Sequence, residues 1–391
     1  MKHLALTTCL ALALLLGQSP AASAVARPAC HGHVATIVGT DAEDSLVGTE
    51  DRDVIVGLGG SDSIVGLGGN DLLCGSGGHD YIKGGAGNDK VYGGRGSDTL
   101  RGDESFNAEI ALPVAGDDVL LGGSGKDRLY GDAGADRLSG GVNGGGHDPE
   151  LLDGGAGNDW LAGGGHEDSL RGGAGDDEID GGTGDDTVTH SGESAVHLDL
   201  SQGSARSADG IDTLTGVENV LGTDGDDTIL GTDDDNDLHG GNGSDYISGR
   251  GGNDDISSDR GQLQQQDNDD LSGGTGNDVV DGAGNLQGGA GDDWVRAYDA
   301  AAAATLHGGD GADLLWGSDS DDLIVGGSGN DEVNGNPGSD SVVGGSGDDE
   351  LVGGGGTDTI DGGADHDTCA GESLRDCEKE IEDYGPLLPS H

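Results

Sequence analysis

The sequence predicts an all-β solenoid, a stack of short parallel strands joined by glycine-rich turns. Three observations point there. Gly makes up 85 of 391 residues and aromatics only 3 %, which argues against a conventional packed core. The formal net charge is −59, a balance that leaves an aperiodic chain disordered. A nine-residue period runs through most of the chain. Self-similarity at a short fixed period marks a repeat architecture whose units hold together only when stacked.

The charge excludes some partners. With 76 acidic and 17 basic residues, the chain repels nucleic acid and gains nothing from an anionic membrane. The acid is 61 Asp and 15 Glu. A solvated acidic helix would favour Glu, whereas Asp beside Gly belongs in turns. The surplus charge is therefore expected at defined places in turns.

Residues 1–26 read as a secretory signal peptide. Lys2 supplies the positive end, an apolar run spans residues 4–16, and Ala22-Ser23-Ala24 and Ala24-Val25-Ala26 both fit cleavage sites. The run is shorter than a membrane span of roughly 20 residues. The expectation is an exported, extracellular chain with no transmembrane segment. Cys9 leaves with the signal. Cys30, Cys74, Cys369 and Cys377 remain, and four cysteines in an exported chain suggest disulfides with three possible connectivities.

The repeat begins at Gly39, with GTDAEDSLV, GTEDRDVIV, GLGGSDSIV, GLGGNDLLC, GSGGHDYIK, GGAGNDKVY and GGRGSDTLR. Gly opens each unit, Asp holds position six and an aliphatic residue holds position eight. Position six is Asp44, Asp53, Asp62, Asp71, Asp80, Asp89 and Asp98 in residues 39–101. Asp118 precedes a second block, residues 122–189, which carries Asp127, Asp136, Asp159, Asp168, Asp177 and Asp186. A looser block, residues 222–296, carries Asp227, Asp245, Asp254, Asp278 and Asp293. Residues 308–370 carry Asp313, Asp322, Asp331, Asp340, Asp349, Asp358 and Asp367. Residues 27–38 form an N-terminal cap and 371–391 a C-terminal cap and tail. Phase breaks at 103–115, 142–153, 190–221, 258–268 and 297–307 are expected as inserts between coils. The segments 102–121, 190–221 and 297–307 stand as inserts in their own right. In the longest, Val196, Leu198 and Leu200 alternate with polar residues, a half-buried strand signal.

Each unit divides into a six-residue turn and a three-residue strand. Side chains alternate across a strand, so position eight faces inward and positions seven and nine face out. Two units make one flattened coil of 18 residues. About 26 units give some thirteen coils, a rod about 60 Å long at ~4.8 Å per coil. Stacking places Asp44, Asp62, Asp80 and Asp98 along one edge and Asp53, Asp71 and Asp89 along the other. Adjacent carboxylates at that spacing repel by about 0.9 kcal/mol in water, and several-fold more at lower effective dielectric. The ladder therefore requires cations. Ca²⁺ fits best, because it accepts six to eight carboxylate and carbonyl oxygens in flexible geometry. Mg²⁺ demands a tighter octahedron, and Zn²⁺ wants Cys and His.

The units GGSGNDEVN at 326–334, GGAGNDKVY at 84–92 and GGAGDDEID at 172–180 resemble the hemolysin-type, or repeat-in-toxin (RTX), calcium-binding nonapeptide G-G-x-G-x-D-x-U-x. The resemblance covers most of residues 39–370. It implies a right-handed parallel β-roll, with several Ca²⁺ held between successive turns by the position-six Asp and turn carbonyls. Family toxins and proteases carry a catalytic or lytic domain ahead of the repeats, and this sequence shows none.

Spacing also bears on the cysteines. Cys369 and Cys377 are eight residues apart and can close a small loop. Cys74 sits at the outward position nine, within reach of the segment before the first unit. Bridges Cys30–Cys74 and Cys369–Cys377 are therefore expected, one at each end, where open sheet edges invite strand addition.

No nucleophile elbow, P-loop or HExxH site is present. His166-Glu167-Asp168-Ser169-Leu170 lies within the repeat, and His79 and His366 occupy turns. Asp233, Asp235 and Asp237 mimic the start of an EF-hand loop but lack its Gly and closing Glu. Trp160, Trp294 and Trp316 face outward and offer rings to a sugar. The expected function is that of a secreted, non-catalytic calcium-binding protein that folds on extracellular Ca²⁺. The alternatives are a structural or adhesive module on cell-wall or matrix polysaccharide, and a hydrolase with its site in residues 190–221.

Overall fold

Position eight is the one dependably aliphatic place in the unit, and its alignment from coil to coil sets the architecture. The computed structural model describes residues 27–103, 115–141, 150–190, 192, 194–258, 268–298, 302–377 and 379–380. The chain winds as a parallel β-solenoid of about 17 turns. Consecutive strands alternate between two sheets, so each pairs with the strand one coil before and one coil after. In one sheet the register runs Leu46↔Ile64, Ile64↔Ile82, Ile82↔Leu100 and Leu100↔Leu129. In the other it runs Ile55↔Leu73, Leu73↔Val91, Val91↔Leu120 and Leu120↔Leu138. These aliphatic columns face each other and form one continuous core. Because each unit contributes a single core side chain, no unit can hold its fold without neighbours.

Two features differ from the sequence expectation. Many strands run for six residues rather than three, as in Ser63–Gly68 and Tyr81–Ala86. The parallel hydrogen bonding continues into the turn, with Gly85 N–H donating to Gly102 O at 2.8 Å and Gly78 N–H to Arg95 O at 2.8 Å. The coil number also exceeds thirteen. Segments without the full signature complete further coils through Leu152, Leu214, Val220, Leu271, Leu286, Leu306 and Leu374, each paired in register with its column. About 17 coils make a rod of roughly 80 Å, not 60 Å.

At four of the phase breaks the described solenoid stops and resumes within a turn. Residues 104–114, 142–149, 259–267 and 299–301 lie outside the described residues. The chain re-enters at Asp118, Glu150, Asp269 and Ala304, each two residues before a core leucine. Residues 190–221 do more. His197–Asp199 runs parallel to Thr228–Leu230, and Ile211–Thr215 runs parallel to Glu178–Thr183. Ser204–Arg206 lies between them, antiparallel to both. One sheet thus gains two strands that the other lacks. Val196 and Leu198 are buried as their alternation predicts, while Leu200 is only partly buried and opens a short 3₁₀ turn, Leu200–Gln202, capped by the Asp199 carboxylate.

Disulfides Cys30–Cys74 and Cys369–Cys377 tie down the two ends. At the N-terminal end the hairpin of Ala29–Cys30 and His33–Val34 packs with Val54, Val56 and Leu72 in a second small apolar cluster. His31 stacks on Tyr92 at 3.8 Å. Cys30–Cys74 closes a loop of 44 residues, which is worth about 3–4 kcal/mol on chain-entropy grounds. Replacing both cysteines by Ser is expected to lower the urea midpoint in calcium accordingly, with an unchanged midpoint counting against an anchoring role. The signal-peptide segment 1–26 and the tail 381–391 lie outside the described residues. Among those described, no helix is long and apolar enough to cross a membrane.

Candidate metal centre

The position-six carboxylates form two ladders, one along each edge. Of those predicted, all but Asp44 are buried. Gly opens each unit because the carboxylate folds back over it. A Cβ built at Gly66 would lie 2.2 Å from Asp71 Oδ2, and one at Gly326 would lie 2.4 Å from Asp331 Oδ2. Any side chain there would push the carboxylate out of the edge.

Within a ladder each Oδ1 accepts the backbone N–H of the position-six residue one coil earlier. Asp62 takes Asp44 N–H at 2.9 Å, Asp80 takes Asp62 at 2.8 Å and Asp98 takes Asp80 at 2.8 Å. On the other edge Asp71 takes Asp53, Asp89 takes Asp71 and Asp118 takes Asp89, at 2.6–2.8 Å. The pattern recurs through Asp127, Asp136, Asp159, Asp168, Asp177, Asp186, Asp245, Asp254, Asp278 and Asp293. It continues through Asp313, Asp331, Asp340, Asp349, Asp358 and Asp367.

The second oxygen is different. Oδ2 of Asp62, Asp71, Asp80, Asp89 and Asp98 is buried and has no hydrogen-bond partner, and the same holds for most later members, Asp331 and Asp349 included. A row of buried carboxylate oxygens without donors is costly unless something positive meets them. A turn carbonyl stands beside each: the Cβ built at Gly66 that meets Asp71 Oδ2 also lies 2.4 Å from Gly84 O. Position-four carbonyls stack coil on coil so tightly that a Cβ at Gly96 would lie 1.5 Å from Gly78 O, and one at Gly329 1.8 Å from Gly311 O. Those carbonyls accept no backbone hydrogen bond in the turn. Among the described residues no three His, Cys, Asp or Glu side chains converge, so a cation here would complete its shell with backbone oxygens. An all-oxygen donor set of few carboxylates and many carbonyls suits a hard, flexible cation such as Ca²⁺.

A model of the RTX calcium-binding nonapeptide repeat matches residues 38–73, 75–106, 114–143, 151–188, 221–256, 265–285, 281–301, 302–333 and 334–369. The chain belongs to this family. RTX nonapeptide repeats bind calcium. No curated protein matches the chain.

Burial governs how the RTX ladder titrates. Desolvation pushes Asp118, Asp136 and Asp245 up to about 8, against the opposing pull of the backbone N–H each accepts. It takes Asp89, Asp98, Asp159, Asp186, Asp313 and Asp349 to about 7. Repulsion from ladder neighbours adds to these shifts. A raised carboxyl holds a proton that the unfolded chain has released. The stability it contributes to the cation-free fold is full below about pH 4 and is lost as the pH climbs through 7 to 8. Calcium needs the ionised form, so its uptake near pH 7 is expected to release protons, and affinity should rise from about pH 6 to about pH 8. Titration calorimetry in two buffers of different ionisation enthalpy measures this directly. Identical heats in both would contradict it.

Ladder members that lack the RTX signature escaped the sequence reading. Glu150, Asp212, Glu218, Asp269 and Glu372 all stand at position six. Asp177 N–H donates to Asp212, Asp186 N–H to Glu218 and Asp358 N–H to Glu372, each at 3.0 Å. Their signal was an aliphatic residue two places on: Leu152, Leu214, Val220, Leu271 and Leu374. Asp103, at position two of an interrupted turn, is also buried and accepts Gly116 N–H at 3.2 Å.

Position five carries a ladder of opposite sense. Its side chain accepts the N–H of the position-five residue one coil later, as from Asp176 to Asn158, from Asp348 to Asn330 and from His366 to Asp348. Adjacent acids such as Asp348-Asp349 therefore divide their work, one bonding forward and one backward. His79 joins this ladder through Nδ1, which accepts Ser97 N–H at 2.8 Å. Asp235, from the EF-hand-like run, accepts Asn253 N–H in the same way. Two of the outward tryptophans meet each other, with Trp294 and Trp316 edge to face at 6.1 Å.

Proposed function

We propose that this chain is an exported, non-catalytic protein that binds many calcium ions and takes up its fold outside the cell, where calcium is plentiful. The supporting observation is the double row of buried Asp Oδ2 atoms without donors. Each ion would sit between successive turns on one edge, held by position-six carboxylates such as Asp71, Asp89, Asp331 and Asp349 and by turn carbonyls. On the order of twenty such ions, with individual affinities in the extracellular range of about 10⁻⁴–10⁻³ M, would offset much of the net charge. Two disulfides suit an oxidising compartment, and the apolar N-terminal run suits export.

The test is a calcium titration of the mature chain with magnesium as the control. Saturation at many equivalents of Ca²⁺, and weak or no response to Mg²⁺, is expected. Saturation at one or two equivalents would sink the reading. Export is checked separately by sequencing the N-terminus of the protein recovered from the medium, which should begin near residue 25 or 27.

A further inference from the structure

Five turns are built unlike the rest. Units 39–47, 48–56, 222–230, 231–239 and 317–325 carry Thr or Ser at position two followed by an acid at position three. In each, the position-two N–H turns inward and donates to the position-six side chain: Thr40 to Asp44 at 2.6 Å, Thr49 to Asp53 at 2.7 Å, Thr223 to Asp227 at 2.6 Å, Thr232 to Asn236 at 2.7 Å and Ser318 to Asp322 at 2.6 Å. The hydroxyl reaches the same group, at 2.8 Å in Thr40 and 2.9 Å in Thr49 and Thr223. It also accepts the position-four N–H, at 3.0–3.2 Å. The Oδ2 that is an orphan elsewhere is therefore satisfied here.

The backbone explains why. In most other turns position two takes a positive φ, as in Gly85 at 113° and Gly327 at 127°, and even Leu58 at 82° and Arg250 at 79°. That region penalises a β-branched residue such as Thr heavily, and none of the five Thr or Ser adopts it, whereas Ser76, followed by Gly77 rather than an acid, takes 86° and leaves Asp80 Oδ2 without a donor. The turn takes another path, and its N–H fills the place beside the carboxylate.

Four of these turns also fall where a carboxylate ladder begins or is broken. The residue one coil before Asp53 is Ala35, before Asp227 it is Val196 and before Asp322 it is Ala304. Asp44 begins its column among the described residues, and Asn236 alone follows a carboxylate, that of Glu218. No aspartate stands below any of the five to share an ion.

We propose that Thr or Ser at position two, followed by an acid at position three, closes a turn to calcium, so that these five turns hold no cation and the calcium columns start above them. The proposal rests on the calcium reading above and sharpens it. Asn236 is its natural precedent. Its amide oxygen takes the Thr232 N–H, and its Nδ2 donates to Glu218 O at 2.8 Å, so a closed turn works without a charge.

The experiment compares two quadruple variants by equilibrium dialysis at saturating calcium, with circular dichroism of each. D44N/D53N/D227N/D322N should bind as many ions as the unmodified chain and become equally β-rich. D245N/D254N/D331N/D349N, in open turns, should lose about one ion per replaced carboxylate. Loss of ions from the first variant, or its failure to fold in calcium, would overturn the proposal while leaving the calcium reading intact. An unmodified chain that binds no calcium would overturn both.

Discussion

In excess chelator at neutral pH the chain is expected to be expanded and poor in β-structure, and at about 1 mM calcium compact and β-rich. The argument is one of compensation. The core is two columns of single aliphatic side chains, thin for a chain of 391 residues. Against it stand rows of buried carboxylates spaced by one coil. Two ionised neighbours about 4.8 Å apart repel by roughly 3–4 kcal/mol at an effective dielectric near 20. Summed along two ladders this exceeds the 5–15 kcal/mol by which domains are usually stable. Protonation relieves the repulsion only while the pH lies below the raised pKa values of about 7 to 8. The chelated chain should accordingly regain some β-structure near pH 4 and lose it as the pH rises. Small-angle scattering and circular dichroism across a calcium series measure both arms. A compact, β-rich chain in excess chelator at pH 7 would show that packing alone suffices.

Asp331→Ala is expected to cost about 1–3 kcal/mol in calcium, because it leaves a buried donor unpaired and removes an oxygen of the ladder. Asp331 is 2 % exposed. Its Oδ1 accepts Asp313 N–H at 3.0 Å, and its own N–H donates to Asp349 Oδ1 at 2.9 Å. Its effect therefore spans three coils. Glu332, next in the chain, is exposed at position seven. Glu332→Ala removes the same charge and should change stability by no more than about 0.5 kcal/mol. Asp331→Asn separates the two roles, since an amide oxygen keeps the Asp313 hydrogen bond and gives up the second carboxylate oxygen. It should fold in calcium yet need more of it. Melting temperature and half-saturating calcium, measured on all three, decide the matter. Equal effects at Asp331 and Glu332 would mean that bulk charge, not the nine-residue register, governs calcium binding.

The sequence by itself determined the solenoid, the edges on which the carboxylates stack, the family and both disulfides. It could do so because a repeat turns a three-dimensional problem into a periodic one. Once Gly, Asp and an aliphatic residue recur at fixed offsets, stacking follows from strand alternation, as the register Ile64↔Ile82 and Val333↔Leu351 bears out. The tertiary structure decided what depends on a neighbour a whole coil away. Asp212 and Glu218 join the ladders by accepting backbone N–H groups 35 and 32 residues distant, and Glu150 by donating its own N–H to Asp168, 18 residues on; the aliphatic residue two places on is the one local mark they carry. Residues 197–215 enter one sheet as two extra strands because a turn can eject a hairpin without disturbing the facing column. Asp71 and Asp227 occupy the same place in their units, yet only Asp227 has both oxygens satisfied. The difference lies in the φ that Thr223 refuses and Leu67, the residue at that place before Asp71, accepts at 83°, because a branched Cβ collides with its own backbone in the left-handed region.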